Sequence, residues 1–223
     1  VEISRDGKVY AQRFERGNPV NDLTVTGASD HDGTLIRFKA DDEIFTETTE
    51  YEFDVLQKRL REQAFLNAGL TINLSDLRDP ENPVREEYCY QGGISSFVEF
   101  MNKARGHAVL HPNVIHIATT DGDSIAEVAM QYNDSYNENI VSFANNIHTV
   151  DGGTHETAFK TAITRIFNDY ARKHGMLKDN DASLKGDDVR EGLTAVISVK
   201  LKDAQFEGQT KAKLGNTSMG TLV

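Results

Sequence analysis

Cysteine is nearly absent: Cys89 is the only one in 223 residues. A lone thiol cannot close an internal disulfide, fits a reducing compartment, and reads most simply as a small buried residue. No apolar run approaches the length needed to span a bilayer, and Val1 to Tyr10 lacks the apolar core of a signal peptide. Together these predict a cytoplasmic protein with no membrane contact. Positive charge is in deficit: 24 Lys and Arg against 35 Asp and Glu give a net charge of -11. That excludes a surface coating nucleic acid everywhere and leaves room only for a local basic lining. Seven histidines, His107, His111 and His116 among them, form no HExxH or clustered Cys/His pattern, so no metal site is expected. There is no GxSxG and no cysteine nucleophile in a recognisable setting. Pairs such as Asp121 with Asp123 or Asp187 with Asp188 read as turn formers and helix N-terminal charges. No hydrolytic centre can be assembled from these residues alone.

What is present describes an ordinary globular chain, 38% hydrophobic and 26% charged, with length for one large or two modest domains. Val1 to Ser4 and Lys8 to Phe14 read as a hairpin turned at Arg5-Asp6-Gly7. Leu23 to Thr26 and Thr34 to Phe38 are further extended runs. Up to Lys39 the pattern is all β, and a chain starting on Val in mid-strand suggests a fragment or a processed piece. Thr46, Thr48 and Thr49 are helix N-cap types. The following helix carries Phe53, Leu56, Leu60 and Ala64 inward, widened by Val55, Phe65 and Leu66, and ends near Gly69. Leu70 to Leu74 pairs with Glu87 to Tyr90 across Asp79 to Pro83. Ile94 to Lys103 is a short helix with Phe97, Phe100 and Met101 inward. Asn113 to Thr119, Ser124 to Tyr132 and Ile140 to Asn145 are strands.

Thr154 is a natural N-cap for a long helix to His174, whose apolar stripe is Phe159, Ile163, Ile166, Phe167 and Tyr170. Asp151-Gly152-Gly153-Thr154-His155-Glu156 lacks the lysine and spacing of a P-loop, so it reads as a glycine turn feeding a capped helix. Asp179 to Gly186 reads as a mobile polar loop. Leu193, Ala195, Ile197, Val199 and Leu201 alternate with Thr194, Ser198 and Lys200, the period of a half-buried strand. That strand delivers a polar loop, Asp203 to Lys213, holding Gly208-Gln209-Thr210-Lys211. An ammonium with three donors beside an amide fork suits an oxygen-rich anion such as a terminal phosphate, although a polar loop ending in Lys is commonly just solvated.

The wording of several stretches goes further. DVREGLTAVISVK with QFEGQTKAKLGN, the segment YNDSYNENIVSFANNIHTVDGGTHETAFKTAITR, YEFDVLQKRLREQAFLNAGLTINLSD and YQGGISSFVEF resemble the transducer domain of type IIA topoisomerase B subunits. GTLIRFKADDEIF resembles the tail of the ATP-binding domain that precedes it. The resemblance implies an α+β chain: residues 1–40 as the last strands of a GHKL ATP-binding sandwich, and 41–223 as a transducer like the second domain of ribosomal protein S5, a mixed sheet with helices on one face. It implies an ATP-hydrolysing subunit of DNA gyrase that couples nucleotide turnover to strand passage and negative supercoiling. The partners implied are a second B subunit, the gyrase A subunit in an A2B2 tetramer, and double-stranded DNA.

Residue by residue, the resemblance places Lys211 and Gln209 on the γ-phosphate and Thr34 on the adenine, with Ile36 as an apolar wall. It places Arg5 at the mouth of the pocket that holds aminocoumarin antibiotics. The bland readings of the last three are a strand threonine, a core isoleucine and a solvated turn arginine. The cofactors implied are ATP and Mg2+, the metal held through family segments this sequence lacks, so the chain alone is expected neither to bind ATP tightly nor to hydrolyse it. Basic residues of the two long helices, Lys58, Arg59 and Arg61, and Lys160, Arg165, Arg172 and Lys173, either line a passage for DNA or form solvated faces. Three readings stay beside gyrase: the decatenating topoisomerase IV B subunit, a mismatch-repair or chaperone relative with a similar middle domain, and a non-catalytic RNA- or protein-binding module of the same fold.

Overall fold

The chain divides into two compact units, Val1–Glu52 and Phe53–Val223. The computed structural model describes residues 1–178 and 180–223. Six short strands build the first unit: β1 (Glu2–Arg5), β2 (Lys8–Ala11), β3 (Phe14–Glu15), β4 (Asn18–Pro19), β5 (Thr24–Ala28) and β6 (Gly33–Leu35). β1 and β2 form the expected hairpin, with Asp6 and Gly7 at positive φ (52° and 77°), a turn whose twist suits the flanking strands. The sheet order is β5-β2-β1-β6, and β3 pairs with β4 as a separate ribbon. β6 is shorter than its alternation predicts. β1 pairs only as far as Glu2, opposite Leu35, so residues 36–38 have no ladder partner. No residue of this unit is buried.

The second unit runs α1 (Phe53–Leu66), β7 (Ile72–Asp76), β8 (Val84–Tyr88), α2 (Gly93–Arg105), β9 (Ile115–Asp121), β10 (Ser124–Tyr132), β11 (Asn139–Ala144), β12 (Ile147–His148), α3 (Thr154–Lys173), α4 (Gly186–Arg190), β13 (Leu193–Lys200) and α5 (Thr217–Leu222). Its five-stranded sheet has the order β12-β11-β13-β10-β9. β13 lies at the centre, antiparallel to β10 and parallel to β11, which makes the sheet mixed as expected. No helix among the described residues is long and apolar enough to cross a membrane.

The expectation of helices on one face needs correction, and β13 shows why. Its even-numbered Val196 packs with Phe65 of α1 and with Phe97 and Val98 of α2. Its odd-numbered Leu193, Ala195 and Ile197 pack with Phe159 and Ile163 of α3. Both faces are therefore covered, and Thr194 and Ser198, expected on a half-exposed strand, are buried with the rest. At Thr194 the alternating pattern and full burial coexist because the hydroxyl finds partners inside, whereas the Ser198 hydroxyl has none among the described residues. Thr194 Oγ1 donates to Asn102 Oδ1 at 2.7 Å and accepts from Asn133 Nδ2 at 3.0 Å. Asn102 Nδ2 in turn donates to Gln131 Oε1 at 3.0 Å.

Other departures are local. α3 buries Phe159, Ile163 and Ala171, while Ile166, Phe167 and Tyr170 stay exposed. Val55 points outward from α1. β7 and β8 pair two residues away from the runs predicted, bringing Tyr88 inward and leaving Cys89 exposed. The cap of α3 is Gly153. Thr154 lies inside the helix and donates its hydroxyl to the Asn216 carbonyl at 2.6 Å. The loop expected from Asp179 begins on a residue outside those described.

Candidate functional site

After β13 the chain does not run free. Phe206 and Leu214 form an antiparallel bridge, the Glu207 amide donates to the Lys213 carbonyl at 2.9 Å, and the Gly215 amide donates to the Gln205 carbonyl at 2.8 Å. Lys213 Nζ sits 3.2 Å from Glu207 across the same rung. The result is a small hairpin whose tip is Gly208-Gln209-Thr210-Lys211. Gly208 (φ 83°) and Lys211 (φ 55°) make the reversal, closed by the Lys211 amide donating to the Gly208 carbonyl at 3.3 Å. Gln209 and Lys211 are exposed, and among the described residues neither side chain has a hydrogen bond or ion pair. A cation and an amide at the end of a stem, with no protein partner, can be satisfied by water or by an anion brought to them.

The stem is fastened to the start of α3. The Asp151 amide donates to the Ala212 carbonyl (2.9 Å), the Leu214 amide to the Gly152 carbonyl (3.1 Å), and the Thr154 amide to the Leu214 carbonyl (3.1 Å). Leu214 is fully buried with Ala126, Ala144, Val199, Leu201 and Met219. Gly153, at φ 148°, lets the two backbones meet: a Cβ there would stand 2.5 Å from the Leu214 carbonyl oxygen. Asn216 completes the joint, accepting from the Gln205 amide at 2.7 Å and donating to the Asp203 carbonyl at 3.0 Å. The glycine turn before α3 is thus also the socket of the hairpin. Phe206 and Leu214, large apolar residues on either side of the polar tip, were the signal available for it in the sequence.

From this joint a polar network runs inward. Ser142 Oγ lies 2.7 Å from Thr149 Oγ1 and donates to Glu156 Oε2 at 2.7 Å. Thr149 Oγ1 is 3.2 Å from His155 Nε2, a ring with no exposed surface whose Nδ1 has no partner among the described residues. Burial lowers the His155 pKa to about 4, so the ring is neutral. Glu156 pairs with Lys160 at 3.0 Å, and Lys160 reaches Glu138 at 3.0 Å. Glu138 also pairs with Arg190 of α4. Burial pushes the Glu138 carboxyl up, but hydrogen bonds from Arg190 and Lys160 outweigh it and hold the group below its ordinary value. The chain of contacts joins the hairpin socket to β11, α3 and α4.

The candidates in the first unit are arranged differently. Thr34 of β6 stands opposite Ile3, and Ile3 and Arg5 are two apart on β1, so Thr34 and Arg5 share one face of the sheet. Arg5 is 75% exposed and lies 3.8 Å from Asp6. Ile36 lies beyond the strand, 65% exposed, and lines a wide concavity of about 1450 Å³ with Glu2 and Leu35 of the opposite face. The structure therefore brings Arg5 and Thr34 to one face and leaves Ile36 off it. Gln209 and Lys211 belong to the other unit. Among the described residues no group of three or more His, Cys, Asp and Glu side chains is placed to hold a metal ion.

The family model for DNA gyrase B matches residues 93–223. Over its whole length the chain is 55% identical to the DNA gyrase B protein of Halalkalibacterium halodurans and 51% identical to that of Bacillus mycoides. It spans 34% and 54% of those two proteins. Among solved structures it is similar to the 43K ATPase domain of Thermus thermophilus gyrase B in complex with an aminocoumarin, with a TM-score of 0.79 and 36% identity over 99% of this chain and 58% of that one. It is also similar to the topoisomerase IV ATP-binding domain of Francisella tularensis in complex with a small-molecule inhibitor, with a TM-score of 0.78 and 28% identity over 99% of this chain and 59% of that one.

Proposed function

The chain belongs to the DNA gyrase B family, and from that premise we propose that it converts the presence of a nucleotide's last phosphate into movement of a protein domain. Residues 1–40 are the end of the ATP-binding domain and 41–223 the transducer. Lys211 sets its ammonium against the γ-phosphate and Gln209 adds an amide hydrogen bond. Thr34 and Arg5, on one sheet face, serve the adenine side, with Ile36 as an apolar neighbour. ATP supplies the anhydride that is broken. What the two tip residues contribute is charge and orientation where negative charge grows, so their loss costs turnover more than adenine affinity. The described residues offer no group of three or more His, Cys, Asp or Glu side chains placed to hold Mg2+.

The observation that carries this reading is the pairing of an unpartnered tip with a fixed stem. Gln209 and Lys211 meet only solvent, while the rung below them is hydrogen-bonded to Asp151, Gly152 and Thr154. A ligand that repositions the tip therefore pulls on the first turn of α3 and not on slack chain. In the whole protein this step would close two B subunits upon ATP binding and, with the gyrase A subunit in an A2B2 assembly, drive passage of one DNA duplex through another in the cytoplasm. Identity of 55% to a gyrase B protein over the whole chain favours supercoiling over decatenation.

The test is Lys211→Ala in a full-length B subunit carrying this sequence, assembled with its A subunit. ATP-dependent supercoiling should disappear while ATP-independent relaxation persists. Loss of both activities, or of neither, would count against the assignment.

A further inference from the structure

A pocket of about 240 Å³ opens between α1, α2 and β11, on the sheet face opposite the one that carries α3. Its partly exposed apolar lining is Phe100 and Met101, backed by the buried rings of Phe65 and Phe97. Phe65 stacks on Phe97 with ring centroids 4.7 Å apart and a 4° interplanar angle, and Phe100 leans on Phe65 at 5.4 Å. Its rim is cationic: Lys58, Arg61 and Arg105 all line it. Among the described residues none of the three has a carboxylate partner. Arg61 is nonetheless held in place, its guanidinium 5.2 Å from the Tyr88 ring and 5.3 Å from the Phe100 ring. Glu62, the acidic residue of the lining, is committed to Arg59 at 3.1 Å. The Asn139 side-chain nitrogen, also at this pocket, is buried with no acceptor among the described residues. His148 closes one wall, and burial keeps its pKa low, so it adds a neutral ring and no further charge.

We propose that this pocket binds a small aromatic carboxylate, its ring against Phe100 and Met101 and its carboxylate between the two guanidinium groups, with the Asn139 amide as a further donor. The size argues for this occupant. A cavity of about 240 Å³ takes one or two rings with one polar group, below the range of ordinary drug-sized sites. The charge argues for it as well, because a chain of net charge -11 here gathers three cations around apolar surface. Planar guanidinium matches planar carboxylate through paired hydrogen bonds, and a ring against Phe100 and Met101 keeps water out of that contact. The proposal stands apart from phosphate sensing by Lys211.

The probe is 2-naphthoate, titrated into the 223-residue chain and followed by its own fluorescence. The sequence has no tryptophan to interfere. Saturable binding at one site is expected, about tenfold weaker in Arg61→Gln and in Arg105→Gln, and about tenfold weaker for uncharged 2-naphthamide. Arg105 is exposed at the end of α2, so its variant tests the rim even where Arg61→Gln disturbs packing. The idea is overturned if no saturation is reached at several millimolar probe. It is equally overturned if the amide binds as well as the acid, or if both variants bind naphthoate like the parent.

Discussion

Gly153 and His155 stand two residues apart, and each tests a different kind of constraint. At Gly153 a side chain would meet backbone, 2.5 Å from the Leu214 oxygen and 2.7 Å from its nitrogen, where no rotamer change can help. Its φ of 148° adds strain for any L side chain. Gly153→Ala should therefore cost roughly 2–4 kcal/mol in urea unfolding, and an effect below about 1 kcal/mol would mean that the hairpin is not seated as described. His155 carries a pH signature. Its pKa falls from 6.5 to about 4 in the folded state, so between those values the unfolded chain binds more protons. The stability it lends is whole above pH 6.5 and is lost as pH falls toward 4. Wild type should lose about 2 kcal/mol more than His155→Asn between pH 7.5 and 5, by linkage. Parallel pH profiles for the two proteins would show that the ring is not neutral by burial.

At the scale of the element, β13 holds the second unit together because both of its faces are buried. The cost of burying Thr194 is met by a closed set of side chains, Asn102, Asn133 and Gln131, drawn from α2, β10 and the residue following it. Such networks weaken as a unit, since each member left alone is a buried polar group without a partner. Asn102→Ala should destabilise by about 2–3 kcal/mol. Adding Thr194→Ala should then cost less than it does in the wild-type background, which a double-mutant cycle in urea reads directly. Simple additivity would place the two side chains in independent environments. The same element shows the limit of pattern reading. The alternation of Leu193 to Leu201 identified a strand correctly, but period two cannot distinguish a solvated polar face from a buried one. The apolar stripe of α3 misled in the opposite sense, because Ile166, Phe167 and Tyr170 remain exposed although they continue the helical period of Phe159 and Ile163.

At the scale of the whole molecule the two units differ in kind. Every buried residue of the described chain lies in Phe53–Val223, and the four-stranded sheet of Val1–Glu52 buries none. Hydrogen bonds without a covering apolar core open readily. Amides of β1, β2 and β5 should exchange at least about a hundredfold faster than those of β13, followed by hydrogen-deuterium exchange on the intact chain. Equal protection in the two units would show that the first has a core of its own.

The sequence by itself determined the hairpin at Asp6-Gly7, the principal helices, the central strand and the exposed Gly208-Gln209-Thr210-Lys211 tip. Each of these depends on a local period or on a turn residue. Its wording also pointed to the family later matched over residues 93–223. Only the tertiary structure decided that helices cover both faces of the sheet, that Leu214 locks the hairpin onto Gly152 and Gly153, and that cations gather over three phenyl rings between α1, α2 and β11. Those facts depend on residues far apart in the chain meeting at fixed distances, and no window of neighbouring residues carries that information.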